Sequence, residues 1–373
     1  MISSFLKKID WWILAAILPL IGLSLSTMNS FSDPSVNLMY RQLILTGVSL
    51  VVFFGCASLN LSFIKQSRFL FWLYLFGIGL LLSLFFVGTT VKGATSWFNF
   101  GGFFLQPADL LKLILILVLA KYLARRHIEI RAMKHIIITG VYFLLPFVLI
   151  FLQPDFGSSI ILFFIWFGMI LVAGISKKHL LLLFGLGLSI FMVMWSFVFQ
   201  DYQKDRLRTF LDPLSDIQGA GYNAYQSVIA VGSGQIVGKG VGYGTQSRLS
   251  FLPEYETDFI FAAISEEWGL VGSLIILALF GFIIIRIIRT GYHIQSNFEL
   301  LFAIGLAMYY MSHIIINIGM NIGVMPVTGV PLPFMSYGGT HLLVEFAGLG
   351  ILMSFRNNAR AVYRDNSPDV FLK

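Results

Sequence analysis

Few side chains in this sequence can do acid–base or electrostatic chemistry, since Asp, Glu, Lys and Arg make up 12% of its 373 residues. Where such groups interrupt long apolar stretches they are costly, so each becomes a candidate for a site. Asp258, in Pro253-Glu-Tyr-Glu-Thr-Asp-Phe-Ile-Phe261, stands where a long polar stretch meets an apolar one. A carboxylate there could act as general base on a substrate whose lipid tail lies in a membrane. It could equally cap the following helix, a job Thr257 could also do. Asp109 and Lys112 lie at i, i+3 just after Gln106-Pro107, a proline placement suited to a first helical turn. They read as a self-neutralising ion pair or as part of a substrate site. Asp155, in Gln153-Pro-Asp-Phe-Gly157, reads as a helix cap in a tight turn. Tyr309, His313, Asn317 and Asn321 recur every fourth residue, a stripe that supplies interhelical hydrogen bonds more often than a proton relay. Glu266, Glu267 and Glu345 read as structural.

The run Gly232-Ser-Gly-Gln-Ile-Val-Gly-Lys-Gly240 invites a nucleotide-binding reading and fails it. A Walker loop would need glycine where Ser233 stands and Ser or Thr where Gly240 stands. A dinucleotide fingerprint would need its third glycine at Val237. What remains is a flexible loop that turns tightly and could bring backbone N–H groups to a phosphate.

The elements that must position these residues are membrane spans. The chain is 57% hydrophobic with mean hydropathy +0.85, which excludes a water-soluble enzyme. Ten apolar runs approach the length needed to cross hydrocarbon: Trp11 to Asn29, Gln42 to Phe63, Phe69 to Val91, Pro107 to Ala124, His135 to Leu152, Gly157 to Ser176, His179 to Phe199, Phe259 to Ile285, Glu299 to Val324 and Thr340 to Phe355. Lys7 and Lys8 precede the first, which reads as a retained helix rather than a signal peptide. With both termini in the cytoplasm, most of the 25 cations fall inside; the exceptions are Arg41, Lys92, Lys112, Lys204, Arg206, Arg208, Lys239 and Arg248. The net charge of +7 is therefore topological, and nucleic-acid binding is set aside. Cys56, the sole cysteine, reads as a small packing residue.

The expected fold is an all-α integral membrane protein of about ten helices, a single polytopic domain over residues 1–373. Residues 200–257 form one large extracytoplasmic loop between helices seven and eight, read as short amphipathic helices and turns because aromatic and aliphatic residues interleave its charges. A smaller outer cap, Lys92 to Gln106, is rich in glycine and aromatics, as suits an interfacial belt.

Several strings resemble a known family: Gln106-Pro-Ala-Asp-Leu-Leu-Lys112, Gln153 to Gly157, Gln203 to Pro213, Gly219 to Ser227, Gly240 to Gln246, Leu252-Pro-Glu254, Thr257-Asp-Phe-Ile-Phe261 and Pro331-Leu-Pro-Phe-Met-Ser-Tyr-Gly-Gly339. Together they resemble the SEDS family of bacterial cell-wall polymerases, most closely its RodA branch among FtsW and SpoVE relatives. The resemblance implies a multi-pass protein of the bacterial cytoplasmic membrane that polymerises lipid II for cell-wall elongation and cell shape. It also implies a class B penicillin-binding protein as transpeptidase partner, with other membrane proteins of the elongation complex. Asp258 matches the family's essential aspartate and is thereby expected to be catalytic. Two departures stand out: Tyr255-Glu256 replaces the family's common Arg-His, which puts a second carboxylate beside Asp258, and Asp109 replaces Glu.

In the implied reaction, the 4-hydroxyl of one lipid-linked disaccharide attacks the anomeric carbon of another, and undecaprenyl pyrophosphate departs with inversion. A base is needed for the hydroxyl and positive charge for the pyrophosphate. Asp258 supplies the first; Lys112 with Asp109, Arg206, Lys239 and Arg248 are candidates for the second, and Ser336 joins the substrate-binding set. Mg²⁺ or Mn²⁺ could assist, although no residue spacing demonstrates a metal site, and no organic cofactor is expected. A lipid II flippase or a non-catalytic scaffold are the competing readings; no inverted repeat supports the former.

Overall fold

The computed structural model describes residues 9–31, 37–91, 94–101, 103–125, 133–197, 204, 208–212, 220–249, 251–294 and 296–365. In chain order its helices are α1 (Trp11–Phe31), α2 (Leu38–Ser58), α3 (Ser67–Val87), α4 (Pro107–Ala124), α5 (Met133–Leu152), α6 (Phe156–Ala173), α7 (Lys177–Phe197), α8 (Ala220–Ser233), α9 (Thr245–Arg248), α10 (Ile260–Tyr292), α11 (Asn297–Asn321) and α12 (Gly339–Asp365). The ten long ones coincide closely with the ten apolar runs. Two differ most: the tenth runs on ten residues past Phe355 to Asp365, and the second ends early at Ser58, after which Leu61–Lys65 forms a 3₁₀ turn whose start is capped by the Asn60 side chain on Ser62 N.

Eight of the ten are apolar enough by composition to cross a membrane. α4 is one of the other two, because Asp109, Lys112 and Lys121 fall within its 18 residues. Yet every α4 residue from Leu111 to Ala120 is buried, since α3, α5, α6, α11 and α12 all pack around it. A helix apolar on all sides belongs in the middle of a bundle. α11 is nearly as enclosed, lying against α10, α4 and α6. α7 is equally apolar but buries none of its residues, as suits a helix solvated by lipid. Small residues allow the closest approaches: a Cβ on Gly350 of α12 would lie 2.7 Å from Phe53 O and from the Cys56 Cβ in α2.

Asp10 ties one face of the bundle together. Its carboxylate meets Arg286 near the end of α10 at 2.6 Å and Arg356 of α12 at 3.3 Å, so both ends of the described chain lie on the same face. Lys65 pairs with Glu299 at the head of α11 on that face too. The Lys92–Gln106 cap, expected only as an aromatic belt, contains most of a small antiparallel sheet. Its strands are β1 (Thr89–Val91), β2 (Ala94–Phe100) and β3 (Phe103–Leu105), with Phe98 opposite Leu105 and a turn at Gly101 (φ 62°). The apolar run to Val91 had hidden β1, since an alternating strand of three residues leaves no period to detect.

α10 is interrupted. Gly269 has φ 65° and ψ −161°, a conformation essentially reserved for glycine. The break strips the backbone groups on either side of their helical partners, and in a low-dielectric interior they must be paired elsewhere. Residues 235–240 do this. Leu270 N donates to Gln235 O (2.8 Å) and Val271 N to Ile236 O (3.1 Å), while Lys239 N and Gly240 N donate to Glu266 O and Glu267 O (both 3.0 Å). The glycine-rich run is thus explained by backbone packed on backbone: a Cβ at Gly234 would fall 2.0 Å from Ser265 O, and one at Gly238 2.0 Å from Glu267 O. The N–H groups of residues 239 and 240, which the sequence left open to a phosphate, are used inside the fold.

Gly269→Ala is expected to cost about 1–3 kcal/mol from backbone conformation alone. Its Cβ would also press on Gly238 N at 2.4 Å. Gly281→Ala, in the same helix with open space around it, is expected to be neutral or to stabilise by up to about 1 kcal/mol. Thermal unfolding of the two purified variants is the check, and equal midpoints would remove the break from this account.

Candidate active site

Asp258 lies in the turn that leads into α10, half-buried, with Glu254, Tyr255 and Glu256 just before it. The N-cap position of α10 is Phe259, which contributes no side-chain cap. The amide of Ala262, in the helix's first turn, donates to Asn321 Oδ1 at 3.0 Å instead. Thr257, the other residue the sequence offered as a cap, directs its hydroxyl to Glu254 Oε2 (2.9 Å). The first turn of α10 is therefore capped from α11. The Asp258 carboxylate faces the turn at Gly329 (φ 70°), where a Cβ would sit 3.5 Å from Oδ2. Partial burial and the neighbouring Glu256 carboxylate push the Tyr255 phenol up to about 12, so it stays protonated around neutrality.

The segment from Val324 to Gly338 is threaded into the bundle beneath this turn, and polar side chains hold its backbone. Asn317 Nδ2 donates to Val330 O (2.8 Å), Glu345 Oε2 accepts from Phe334 N (2.9 Å), and His313 Nδ1 lies 3.1 Å from Pro331 O. Ser336 is 2% exposed; its hydroxyl accepts from Leu332 N and donates to Thr257 O. Tyr337 N donates to Glu256 O at 2.7 Å. Phe334 takes a positive φ of 62° within this strap, a strained conformation for a bulky residue.

Inside the bundle a second group of ionisable residues comes together. Lys112 Nζ lies 2.8 Å from Asp109 Oδ1, with both side chains at most 2% exposed. His341 Nε2 lies 2.8 Å from Glu345 Oε1, its Nδ1 is 3.9 Å from Asp109 Oδ2, and the His313 and His341 rings are 4.8 Å apart. The i, i+3 pair was legible in the sequence. His341 was missed there, although its i, i+4 spacing to Glu345 on a helix was the available signal.

The other candidates are scattered. Lys239 binds Glu266 at 2.7 Å; that carboxylate, fully buried, also accepts from Gln246 N and Thr245 Oγ1, so it pins the turn at α9 to α10. Glu267 does the same for Gly242 N (2.6 Å) and the Thr27 hydroxyl. Both glutamates are structural, as expected. Arg248 is exposed at the end of α9. Arg206 lies outside the described residues. Asp155 caps α6 through Ser158 N (3.0 Å) and accepts from Gln106 Nε2 (2.8 Å). Among the described residues no three His, Cys, Asp or Glu side chains converge to hold a metal ion. A cavity of about 260 Å³ opens between residues 209–210, α8 and the turn after α11, lined by Phe210, Tyr225, Val228, Met325 and Val327. Val327 also packs in the small apolar cluster around Phe259, next to Asp258.

The family model of FtsW, RodA and SpoVE, described as cell cycle protein, matches residues 6–361. The peptidoglycan glycosyltransferase MrdB of Escherichia coli (strain K12) is 39% identical over 289 residues, 78% of each chain. The probable peptidoglycan glycosyltransferase FtsW of Haemophilus influenzae is 34% identical over 308 residues, 81% of this chain and 77% of that one. Among solved structures, a chain of a peptidoglycan synthase complex that coordinates polymerization and crosslinking superposes with a TM-score of 0.81 at 30% identity, covering 94% of this chain and 98% of that one. The rod shape determining protein RodA of Thermus thermophilus gives 0.70 at 28% identity, covering 94% and 97%.

Removing Asp109 would leave the Lys112 ammonium without its partner in the bundle interior. Asp109→Ala is expected to destabilise by about 3–5 kcal/mol, while Asp109→Ala with Lys112→Met recovers most of the loss because the uncompensated charge is gone. Thermal unfolding of wild type, single and double variants tests this, and an unchanged midpoint in the single variant would refute the pairing.

Proposed function

The chain belongs to the FtsW/RodA/SpoVE family and is a peptidoglycan glycosyltransferase with RodA among its structural relatives; from that premise we propose that Asp258 is the general base with which it polymerises lipid II. One observation carries this reading: the helix that Asp258 precedes is capped by Asn321, so the carboxylate is not required as a cap. It stands half-buried at the boundary of loop and bundle, where a lipid-linked sugar would be presented.

In the proposed step, the 4-hydroxyl of the acceptor disaccharide gives its proton to the Asp258 carboxylate as its oxygen bonds to the donor's anomeric carbon. The bond from that carbon to the pyrophosphate oxygen breaks, and the undecaprenyl pyrophosphate leaves with the bonding pair. We assign Arg248 and Arg206 to the leaving pyrophosphate. Lys239 is near enough to α9 to assist but also neutralises buried Glu266. Lys112 and Asp109 act from within the bundle, where their pair sets α4 beside His341 of α12, and Ser336 acts on the carbonyl of Thr257. Mg²⁺ or Mn²⁺ would arrive with the pyrophosphate, since substrate phosphates commonly supply most ligands to such ions. The apolar cavity at Val327 is suited to the first isoprene units of the lipid.

The partner we propose is a class B penicillin-binding protein, alongside other membrane proteins of the elongation complex; the likeness to a chain from a polymerizing and crosslinking synthase complex supports it. This multi-pass protein would have both termini in the cytoplasm. The shared face at Asp10, Arg286 and Arg356, with Lys65 on the same side, supports that orientation.

Asp258→Asn preserves shape and removes basicity. It is expected to keep its thermal midpoint and lipid II binding while losing about 10²- to 10⁴-fold in polymerisation rate, read as the disappearance of a glycan ladder on gels. Activity within about threefold of wild type in the folded variant would mean another group takes the proton. For the partner, affinity purification of the tagged chain from native membranes should bring a single-span transpeptidase in near-equal amount; repeated isolation without one would count against the complex.

A further inference from the structure

Asn317 and Asn321 lie one turn apart on α11, both fully buried, and both direct their side-chain amides at the turn before α10. Asn317 Nδ2 donates to Asp258 O at 2.9 Å and Asn321 Nδ2 donates to the same oxygen at 3.1 Å, so this one carbonyl takes two amide donors. Asn321 also accepts: its Oδ1 takes the Ala262 N–H that begins α10. Its backbone carbonyl takes the Ser227 hydroxyl of α8 at 2.9 Å. A single residue thus links α8, α10 and α11 beside the proposed general base.

The residue type follows from this double duty. A first-turn N–H left without a partner would draw in the nearest acceptor, and the nearest strong acceptor by sequence is Asp258 itself. A carboxylate bound to helix N–H groups is stabilised in its charged form and becomes a poorer base. Asparagine occupies that N–H with its oxygen and, through the opposite end of the same amide, fixes the Asp258 backbone. Aspartate could do only the first and leucine neither. Both amides project from a bundle helix enclosed on several sides, the kind of rigid support that holds a reacting group in place.

We infer that Asn321, with Asn317 in support, is a positioning residue that takes the Ala262 N–H, holds the Asp258 carbonyl and so aims the Asp258 carboxylate at the acceptor hydroxyl. This rests on Asp258 being the general base. Its signature is a loss in turnover without a matching loss in substrate affinity, since neither amide is placed on the substrate.

The test uses the purified full-length chain in lipid nanodiscs with lipid II, measuring kcat and KM together with thermal unfolding. Asn321→Leu is expected to lower kcat by about 10- to 100-fold, as misplacement by about an ångström can, with KM within about twofold of wild type. Asn321→Asp keeps the acceptor for Ala262 N. It is expected to unfold below the wild-type midpoint, because a carboxylate is then buried without a counter-charge, and to lose about tenfold in kcat, because the Asp258 carbonyl then faces an oxygen instead of a donor. If Asn321→Leu does not fold, Asn321→Asp alone decides. Wild-type kcat in either folded variant, or a loss that appears in KM alone, overturns the inference. Asp258→Asn, assayed alongside, separates the two claims: if it retains activity the base assignment fails, and if it is inactive while Asn321→Leu is unimpaired only the positioning role falls.

Discussion

Backbone N–H and C=O groups that lie away from water must be paired, and this constraint shapes the molecule more than any other. α10 breaks at Gly269 and begins without a cap of its own, so it presents unpaired groups at both ends of residues 260–268. Partners come from other segments of the chain as well as from α10 itself, where the Ser273 hydroxyl donates to Gly269 O (2.9 Å). Asn321 serves the start, the 235–240 backbone serves the break, and the Glu266 carboxylate turns the relation round by accepting from the amides of Gln246 and Ser247. The described part of the long polar segment is consequently fastened to the bundle by main-chain bonds, and the turn carrying Asp258 is held from below by the Val324–Gly338 strap.

Buried charge is governed by the same rule at higher stakes. Asp109 with Lys112, Glu345 with His341, and Asp10 with Arg286 and Arg356 each meet a counter-charge or a titratable partner inside the fold. Asp10 joins the start of α1 to α10 and α12, and His341 brings α12 beside Asp109 of α4. Burial sets these groups inside the architecture, while Asp258, the proposed general base, lies half-buried at its edge. General-base catalysis needs that placement: dry enough to strengthen electrostatics, open enough to admit a sugar hydroxyl.

The cavity beside Val327 joins these themes. It lies between α8 and the turn after α11, and Val327 is shared with the apolar cluster of Phe259, Leu252, Ala262 and Ala263 beneath the Asp258 turn. An apolar space bordering a carboxylate suits a substrate that is lipid at one end and sugar at the other.

Composition and apolar run length alone determined that the chain is a membrane protein with ten long helices, because the thickness of a bilayer sets the length of a span and its hydrocarbon excludes charge. The i, i+3 spacing of Asp109 and Lys112 revealed their ion pair, since one helical turn brings such side chains together whatever surrounds them. The cap of Asp155 on α6 was legible for the same reason: it is local. What lay beyond reach was every interaction whose partners are distant in sequence. The partner of the Ala262 N–H was one of them: only the packing of α11 against α10 supplied it, by delivering Asn321 from 59 residues away. The glycines of the 232–240 run fit neither phosphate-binding pattern, and their reason became visible only where the backbone at Gly269 packs against them. Period and propensity act over a few residues, whereas the pairing of buried polar groups is settled by which segments fold against one another, and only the tertiary structure decides that.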